Sequence, residues 1–288
     1  MPLRQSRVSV IGAGVMAEAI IAGMLERDLL PAGSIIASHP RADRREALNQ
    51  KYGIQVTPDN ADAATQSDVV VLGIKPQVMP GVLSELRGKI GNDKLVISII
   101  AGATTDTLRK GLGHSTIVRV MPNTPAQISE GVNIWYATPE TTDIQRQQAK
   151  ALLGALGHEL QVGDERFVAM ATAVSGTGPT YVFLVMEALI DSAVHLGFPR
   201  HLAHDLVLET IKGSVAFAER TQKHPAQLRD MVTSPGGTSA AAFYELERGR
   251  LRTVLADAVW AAYRRTMSLS ESLSAGKDPE PMPPRSDS

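Results

Sequence analysis

Apolar positions along the chain first gather in short runs and later spread into long stripes, and this change of period sets the expected architecture. Val8, Val10 and Ile11 form a run one strand long that stops at Gly12, after which Ala19, Ile20, Gly23 and Met24 recur at helical spacing. Residues 34–38, 68–72, 94–98, 116–120 and 131–137 read as further strands, with helices predicted over 41–52 and 142–156. Most of these runs are β-branched and do not alternate, so both faces of each strand need cover. That is the pattern of a mainly parallel sheet flanked by helices. Around 157–163 the alternation of strand and helix stops, and from Asp164 onward the pattern predicts only helices, separated by Gly and Pro. One is opened by Ser175-Gly-Thr-Gly-Pro179, with Ser175 as its cap, and is ended by Gly197-Phe-Pro199. Others follow over 200–221, through Arg248, and from Leu251 to about Ser270.

The first strand and helix are joined by Gly12-x-Gly14-x-x-Ala17. In such a unit Gly12 permits the tight turn, Gly14 lets a pyrophosphate approach the backbone, and a small residue at 17 lets helix and strand pack closely. The helix N-terminus then offers unpaired N–H groups and a partial positive charge to that anion. A Gly-rich turn before any helix would look the same in isolation. Here a second strand follows, which favours a dinucleotide-binding, Rossmann-type half.

At the end of that second strand, an acid would bond the ribose 2′-hydroxyl of NAD and repel the 2′-phosphate of NADP. This chain has Ser38 and His39 there, with Arg41, Arg44 and Arg45 close behind. NADPH is therefore the expected cofactor and NADH a weaker one, although the arginines also suit a solvated helix face. Gly73-Ile-Lys75-Pro76-Gln77 places a lysine beyond the carboxyl end of a strand, where open α/β sheets bind ligands. Ser98-Ile-Ile-Ala-Gly102 supplies small residues against which a flat ring could lie. In Met121-Pro-Asn-Thr-Pro125, a turn by composition, Asn123 could bond a carboxamide or a backbone group.

In the second half, Thr233-Ser-Pro-Gly-Gly-Thr-Ser239 leads into a helix. Pro235 forces the residue before it to be extended, while Gly236 and Gly237 expose their N–H groups. Such a loop could hold a carboxylate on main-chain N–H groups and the helix dipole, or be an N-cap and nothing more. Leu251, Val254, Leu255, Ala258, Val259 and Ala262 form a broad stripe, widened by Trp260 and Tyr263, that exceeds what one side of a small helical domain covers. Dimerisation through this half is expected. The tail from Glu271 has nothing to bury and is expected to be disordered.

Residues 182–196 alone raise a membrane question, and Glu187, Asp191 and His195 interrupt them at intervals of four. One polar stripe on an apolar helix suits burial, in part by a second subunit, better than a bilayer. Of 288 residues, charged ones sum to a net −1 with no dense Lys/Arg block, so nucleic acid and anionic membranes are unsupported partners. Absence of cysteine removes disulfides and thiol nucleophiles and fits a reducing cytoplasm. His201 and His204 have metal-ligand spacing without an acidic or thiol partner, and no metal is expected.

Gly12-x-Gly14-x-Met16-Ala17, Ile74-Lys-Pro-Gln77, Ser98-Ile-Ile-Ala-Gly102, Arg119-Val-Met-Pro-Asn-Thr-Pro125, Ser175-Gly-Thr-Gly-Pro179 and Ser234-Pro-Gly-Gly-Thr-Ser239, in this order, resemble pyrroline-5-carboxylate reductase over residues 7–270. The resemblance implies an α/β Rossmann-type domain with a mainly parallel sheet (1–163), an all-α substrate-binding and dimerisation domain like the C-terminal domain of 6-phosphogluconate dehydrogenase (164–270), and a tail (271–288). It implies NADPH-dependent reduction of 1-pyrroline-5-carboxylate to L-proline, the last step of proline biosynthesis. The cofactor's phosphates would lie at Gly12, Ala13, Gly14, Val15 and Met16, and its ribose phosphate near Ser38. Asn60, Ile74, Lys75 and Ala101 would be further contacts, with Pro76, Gly102 and Asn123 completing the set.

The same resemblance assigns the substrate carboxylate to Ser234, Gly236, Gly237, Thr238 and Ser239. Ser239, with Thr238, would be the catalytic hydroxyl facing the ring nitrogen, in a place where many relatives have threonine. Glu165 and Gln222 would lie near the substrate, Gln222 standing where some relatives carry an acid. A helix-swapped homodimer sharing its active sites, assembling further into a decamer, is also implied. Two other readings remain at this stage. A hydroxyacid dehydrogenase of the 6-phosphogluconate type needs a lysine early in the long helix, where this chain has Tyr181, Val182 and Phe183. A non-catalytic dinucleotide sensor would leave the Gly236-Gly237-Thr238-Ser239 loop unexplained.

Overall fold

The computed structural model describes residues 2–277. Eight strands form one sheet: β1 (Val8–Ile11), β2 (Ile35–Ser38), β3 (Gln55–Thr57), β4 (Val69–Leu72), β5 (Leu95–Ser98), β6 (Ile117–Met121), β7 (Gly131–Ala137) and β8 (Gly157–Gln161). Their order is β3-β2-β1-β4-β5-β6-β7-β8, and the order reverses between β1 and β4. The first six strands are mutually parallel; β7 runs antiparallel to β6, and β8 parallel to β7. Six helices connect them: α1 (Val15–Glu26), α2 (Ala42–Tyr52), α3 (Asn60–Thr65), α4 (Met79–Leu86), α5 (Thr105–Leu112) and α6 (Asp143–Gly154).

The continuous apolar runs have a direct structural cause. In β1, β4 and β5, Val8, Val10, Val69, Val71, Leu95 and Ile97 enter one core with Ile20 and Met24 of α1 and Leu152 of α6. Their neighbours Ile11, Val70, Leu72 and Val96 enter a second core with Leu83 of α4 and Leu108 of α5. Successive side chains point to opposite faces, so a sheet buried on both faces has no polar positions to alternate with.

Among the described residues helices alone follow: α7 (Arg166–Ala171), a π turn over Thr172–Gly176, α8 (Gly178–His195), α9 (Arg200–Thr221), α10 (Pro225–Met231), α11 (Thr238–Arg248) and α12 (Leu251–Ser274). The chain packs as two compact units, one running to Thr177 and resuming at Ala261, the other Gly178–Trp260. The expected boundary at Gly163 and this division differ, because Val168, Ala169 and Ala173 are buried in the first unit.

Several expectations are corrected. Strands β3 and β8 are absent from the sequence reading because both lie at sheet edges. The three residues of β3 carry too little pattern, and the polar Gly-His-Glu-Leu-Gln of β8 has no continuous apolar run. Ser175 caps no helix; its hydroxyl donates to the Ala171 carbonyl inside the π turn. The last helix runs to Ser274, since Leu273 is buried, while residues 278–288 of the expected disordered tail lie outside the described residues. Within this chain α8 has no buried residue, and its Phe183 and Leu184 are 56% and 63% exposed. By length and composition the helical run 166–195 is also apolar enough to cross a membrane.

Gly157, where β8 begins, has φ +130°, and a Cβ there would stand 2.2 Å from the Gly131 carbonyl oxygen and 2.4 Å from its nitrogen. Gly157→Ala is expected to lower stability by roughly 2–4 kcal/mol. The readout is a reduced urea midpoint with an unchanged m-value; a wild-type midpoint would show that the edge strand tolerates the methyl.

Candidate active site

The strand registers set the carboxyl ends of β2, β1, β4, β5 and β6 side by side: Ser38 beside Ile11, Ile11 beside Leu72, Leu72 beside Ser98, Ser98 beside Arg119. Gly12 to Met16, Ile74 to Pro76, Ala101, Gly102 and Asn123 all follow these ends. They therefore line one edge of the sheet, where the strand order reverses and open α/β sheets bind ligands.

Gly12 has φ +80°, and a Cβ on it would fall 2.3 Å from Ile74 Cγ2 and 3.1 Å from Ile74 Cα. Its N–H and that of Ala13 donate to the Ser38 carbonyl at 3.0 and 3.3 Å, so β1 and β2 stay joined through the turn. Gly14 caps α1 with no side-chain bond, and nothing lies within 4 Å of where its Cβ would be. The first-turn N–H groups of α1, those of Val15 and Met16 among them, thus receive no side-chain cap. Ala17 is the close-packing residue: a Cβ on Gly73 would come within 2.8 Å of its methyl.

At the ribose end, Ser38 is fully buried and its hydroxyl donates to Asn60 Oδ1 at 2.7 Å, while Asn60 Nδ2 donates to Glu85 at 2.8 Å. Two of the expected cofactor contacts are therefore each other's partners. Arg45 donates to the carbonyls of His39 and Pro40. Arg44 donates to the Ala13 carbonyl at 3.0 Å and to Glu18 at 2.5 Å. Neither arginine belongs to a merely solvated face: both brace the loops at the edge. Arg41 is exposed and pairs with the exposed Asp43.

Lys75 is exposed and precedes the short Pro76–Val78 turn. Gly102 has φ +79°, and its missing Cβ makes room for Leu269 of α12, at 3.1 Å; packing accounts for this glycine without a ligand. Asn123 donates to the Ser175 carbonyl at 3.1 Å and accepts from Val132 N at 2.9 Å, so its amide is bonded to backbone.

Of the expected substrate residues, Glu165 lies with the sheet. Its carboxylate accepts Arg119 Nη1 at 2.7 Å, Thr105 N at 2.8 Å and Thr105 Oγ1 at 2.6 Å. It ties the start of α7 to β6 and to the N-terminus of α5. Arg119 is almost wholly buried, and sequence reasoning missed its role. The signal was present: a lone cation inside the apolar strand Ile-Val-Arg-Val-Met needs an anion.

The other substrate residues lie in the second unit. Gly237 N donates to the Ser234 carbonyl at 3.0 Å, and Gly236 has φ +73°, a Pro-Gly turn of type II form. A Cβ on Gly237 would strike Ser234 Oγ at 2.6 Å. Gly237 caps α11 without a side-chain bond, leaving Thr238 and Ser239 in an exposed, unclaimed first turn. Gln222 ends α9 at φ +54°, and its amide donates back to the Glu219 carbonyl, a local capping role. Among the described residues no cluster suited to a metal ion occurs.

A doubly covered sheet with an uncapped Gly-rich turn at its reversal point, followed by helices, defines an oxidoreductase of the dinucleotide-binding class. Residues 7–102 match a family model described as NADP oxidoreductase, coenzyme F420-dependent, and residues 165–269 one for pyrroline-5-carboxylate reductase dimerisation. A pyrroline-5-carboxylate reductase of Synechocystis is 41% identical over 92% of this chain and 98% of its own. A solved pyrroline-5-carboxylate reductase from Coxiella burnetii superposes with TM-score 0.85 at 36% identity, covering 93% of this chain and 99% of that one. The Plasmodium falciparum pyrroline carboxylate reductase, solved with NADP bound, superposes with TM-score 0.85 at 29% identity over 93% and 99%. The chain belongs to the pyrroline-5-carboxylate reductase family.

Glu18 braces the edge from below. Partial burial pushes its carboxyl up, but hydrogen bonds from Lys51, Arg44 and Tyr52 outweigh this and hold it at about 2, against an ordinary 4.5. Its contribution to stability is present above about pH 4.5 and is lost as pH falls towards 2. Glu18→Gln is expected to flatten that acid limb in a series of melting curves; an acid limb identical to wild type would show that the carboxylate contributes nothing.

Proposed function

We infer that this chain reduces 1-pyrroline-5-carboxylate to L-proline, the last step of proline biosynthesis, with NADPH as reductant. The observation that carries the reading is the pair of helix N-termini capped by glycine, at Gly14 and at Gly237, in a chain of this family. Each is a main-chain anion site, one suited to a pyrophosphate and one to a small carboxylate.

NADPH, when bound, supplies the hydride that adds to C5 of the imine. Val15 and Met16 hold the pyrophosphate by their N–H groups, with Gly12, Ala13 and Gly14 giving it access. Ser38 and Asn60 support the ribose end from beneath, and Arg41, turned outward, takes the 2′-phosphate. Ile74, Lys75, Pro76, Ala101 and Gly102 line the rest of the edge. In the second unit, Ser234, Gly236 and Gly237 shape the turn that takes the substrate carboxylate. The hydroxyl of Ser239, beside that of Thr238, orients the ring nitrogen. A protonated imine already carries the charge that draws hydride, and the nitrogen keeps its proton as the C=N bond becomes single. The residues therefore act mainly by alignment, which can contribute about 7–11 kcal/mol.

The uncovered apolar residues of α8 and the match to a dimerisation model support a homodimer formed through the helical region. Assembly to a decamer and a cytoplasmic location complete the proposal.

The decisive experiment follows NADPH oxidation with pyrroline-5-carboxylate beside hydroxyacid and ketoacid substrates. Turnover of the imine alone is expected, with kcat/KM higher for NADPH than NADH; equal values with the two cofactors would remove Arg41 from the phosphate site. Ser239→Ala is expected to lower turnover about 10- to 100-fold while NADPH affinity holds. Unchanged kinetics would take Ser239 out of the site.

A further inference from the structure

In an uninterrupted α-helix the carbonyl of residue i accepts the N–H of residue i+4. For Ser175 that residue is Pro179, which has no N–H. The motif Ser175-Gly-Thr-Gly-Pro179 thus orphans one helix carbonyl at a fixed place. At that place the backbone makes a π turn over Thr172–Gly176, closed by Thr177 N donating to the Thr172 carbonyl at 2.8 Å. Single π turns recur at functional sites.

The orphaned Ser175 carbonyl has a designated donor. Asn123 Nδ2 reaches it at 3.1 Å, while Asn123 Oδ1 is fixed by Val132 N at 2.9 Å, and the side chain is only 8% exposed. The three hydroxyls of the segment turn back on their own backbone: Thr172 to Val168, Ser175 to Ala171 and Thr177 to Thr172. Those hydroxyls are therefore spent on their own backbone, Gly176 carries no side chain, and Val174 is the exposed side chain of the segment. Gly176 backs onto Met121 at the end of β6, where a Cβ would be 3.0 Å from Met121 Cε. In a sheet of this order, β4 to β6 form the half that takes the nicotinamide side of a dinucleotide.

We propose that Asn123 is a positioning residue for the reduction: through the one carbonyl that Pro179 leaves open, it fixes the Ser175–Thr177 main chain beside the end of β6 and so sets the nicotinamide side of the crevice. It acts through Ser175. The proposal rests on the reductase reading above, and it gives a physical reason for a sequence motif to which that reading assigns no role.

The test compares Asn123→Ala, Pro179→Ala and the double variant by melting temperature, kcat and KM for NADPH. Asn123→Ala leaves the Ser175 carbonyl and the Val132 N–H unpaired, and is expected to melt lower and to lose about 10- to 100-fold in kcat, with KM for NADPH within about twofold of wild type. Adding Pro179→Ala gives Ser175 a helix donor while the Val132 N–H stays unpaired, so the double variant should regain part of the lost melting temperature but not kcat. Recovery of both together would reduce Asn123 to a structural tie and overturn the proposal, as would wild-type kcat in Asn123→Ala. If Asn123→Ala does not fold, Asn123→Asp, which keeps the acceptor for Val132, takes its place with the same two outcomes. Wild-type protein inert towards the imine would sink the functional reading itself, a result separate from any recovery pattern among the variants.

Discussion

No side chain fits between Gly12 and Ile74, and almost none between Gly73 and Ala17. These two close approaches bring the ends of β1 and β4 flush with the start of α1, so that a helix N-terminus opens onto the point where the strand order reverses. The candidate anion site is a consequence of that fit. Were α1 held off by one methyl group, its N–H groups would still be unpaired but would no longer share an edge with β4 and β5.

What surrounds this edge is bracing more than binding. Arg44 links α2 to the Ala13 carbonyl and to Glu18, Ser38 is spent on Asn60, Glu165 on Arg119 and Thr105, and Asn123 on two backbone groups. A side chain whose polar atoms are already bonded within the protein holds its neighbours in place before any ligand arrives. Preorganisation of this kind is what a reaction governed by alignment requires.

The sequence displayed the parallel strands because burial on both faces forces unbroken apolar runs. It displayed the Gly-rich turn because only certain residues survive at Gly12, Gly14 and Ala17, and it marked the start of α11 through Pro235, Gly236 and Gly237. Edge strands β3 and β8 were illegible, since half of their backbone pairing and little of their side-chain surface is buried. The partnerships were illegible too. Nothing local says that Ser38 meets Asn60 or that Arg119 meets Glu165, 46 residues away, although a buried cation in an apolar strand announces that some anion must come. At Gly102 the structure adds a reason for a small residue that the sequence did not display, since Leu269 packs where its Cβ would stand.

The chain carries 29 Lys and Arg against 30 Asp and Glu, so no broad basic field gathers anions and recognition falls to local groups. Both candidate anion sites are instead built from main-chain N–H groups at helix starts whose capping residue is glycine. A serine or aspartate cap would satisfy those donors from within and close the site. Glycine leaves them open, at a small cost in helix stability, while Arg44 and Arg45 near the edge hold loops. Donors fixed by the backbone need no reorganisation when an anion arrives, so the glycine that weakens a helix end is also what suits that end to a ligand.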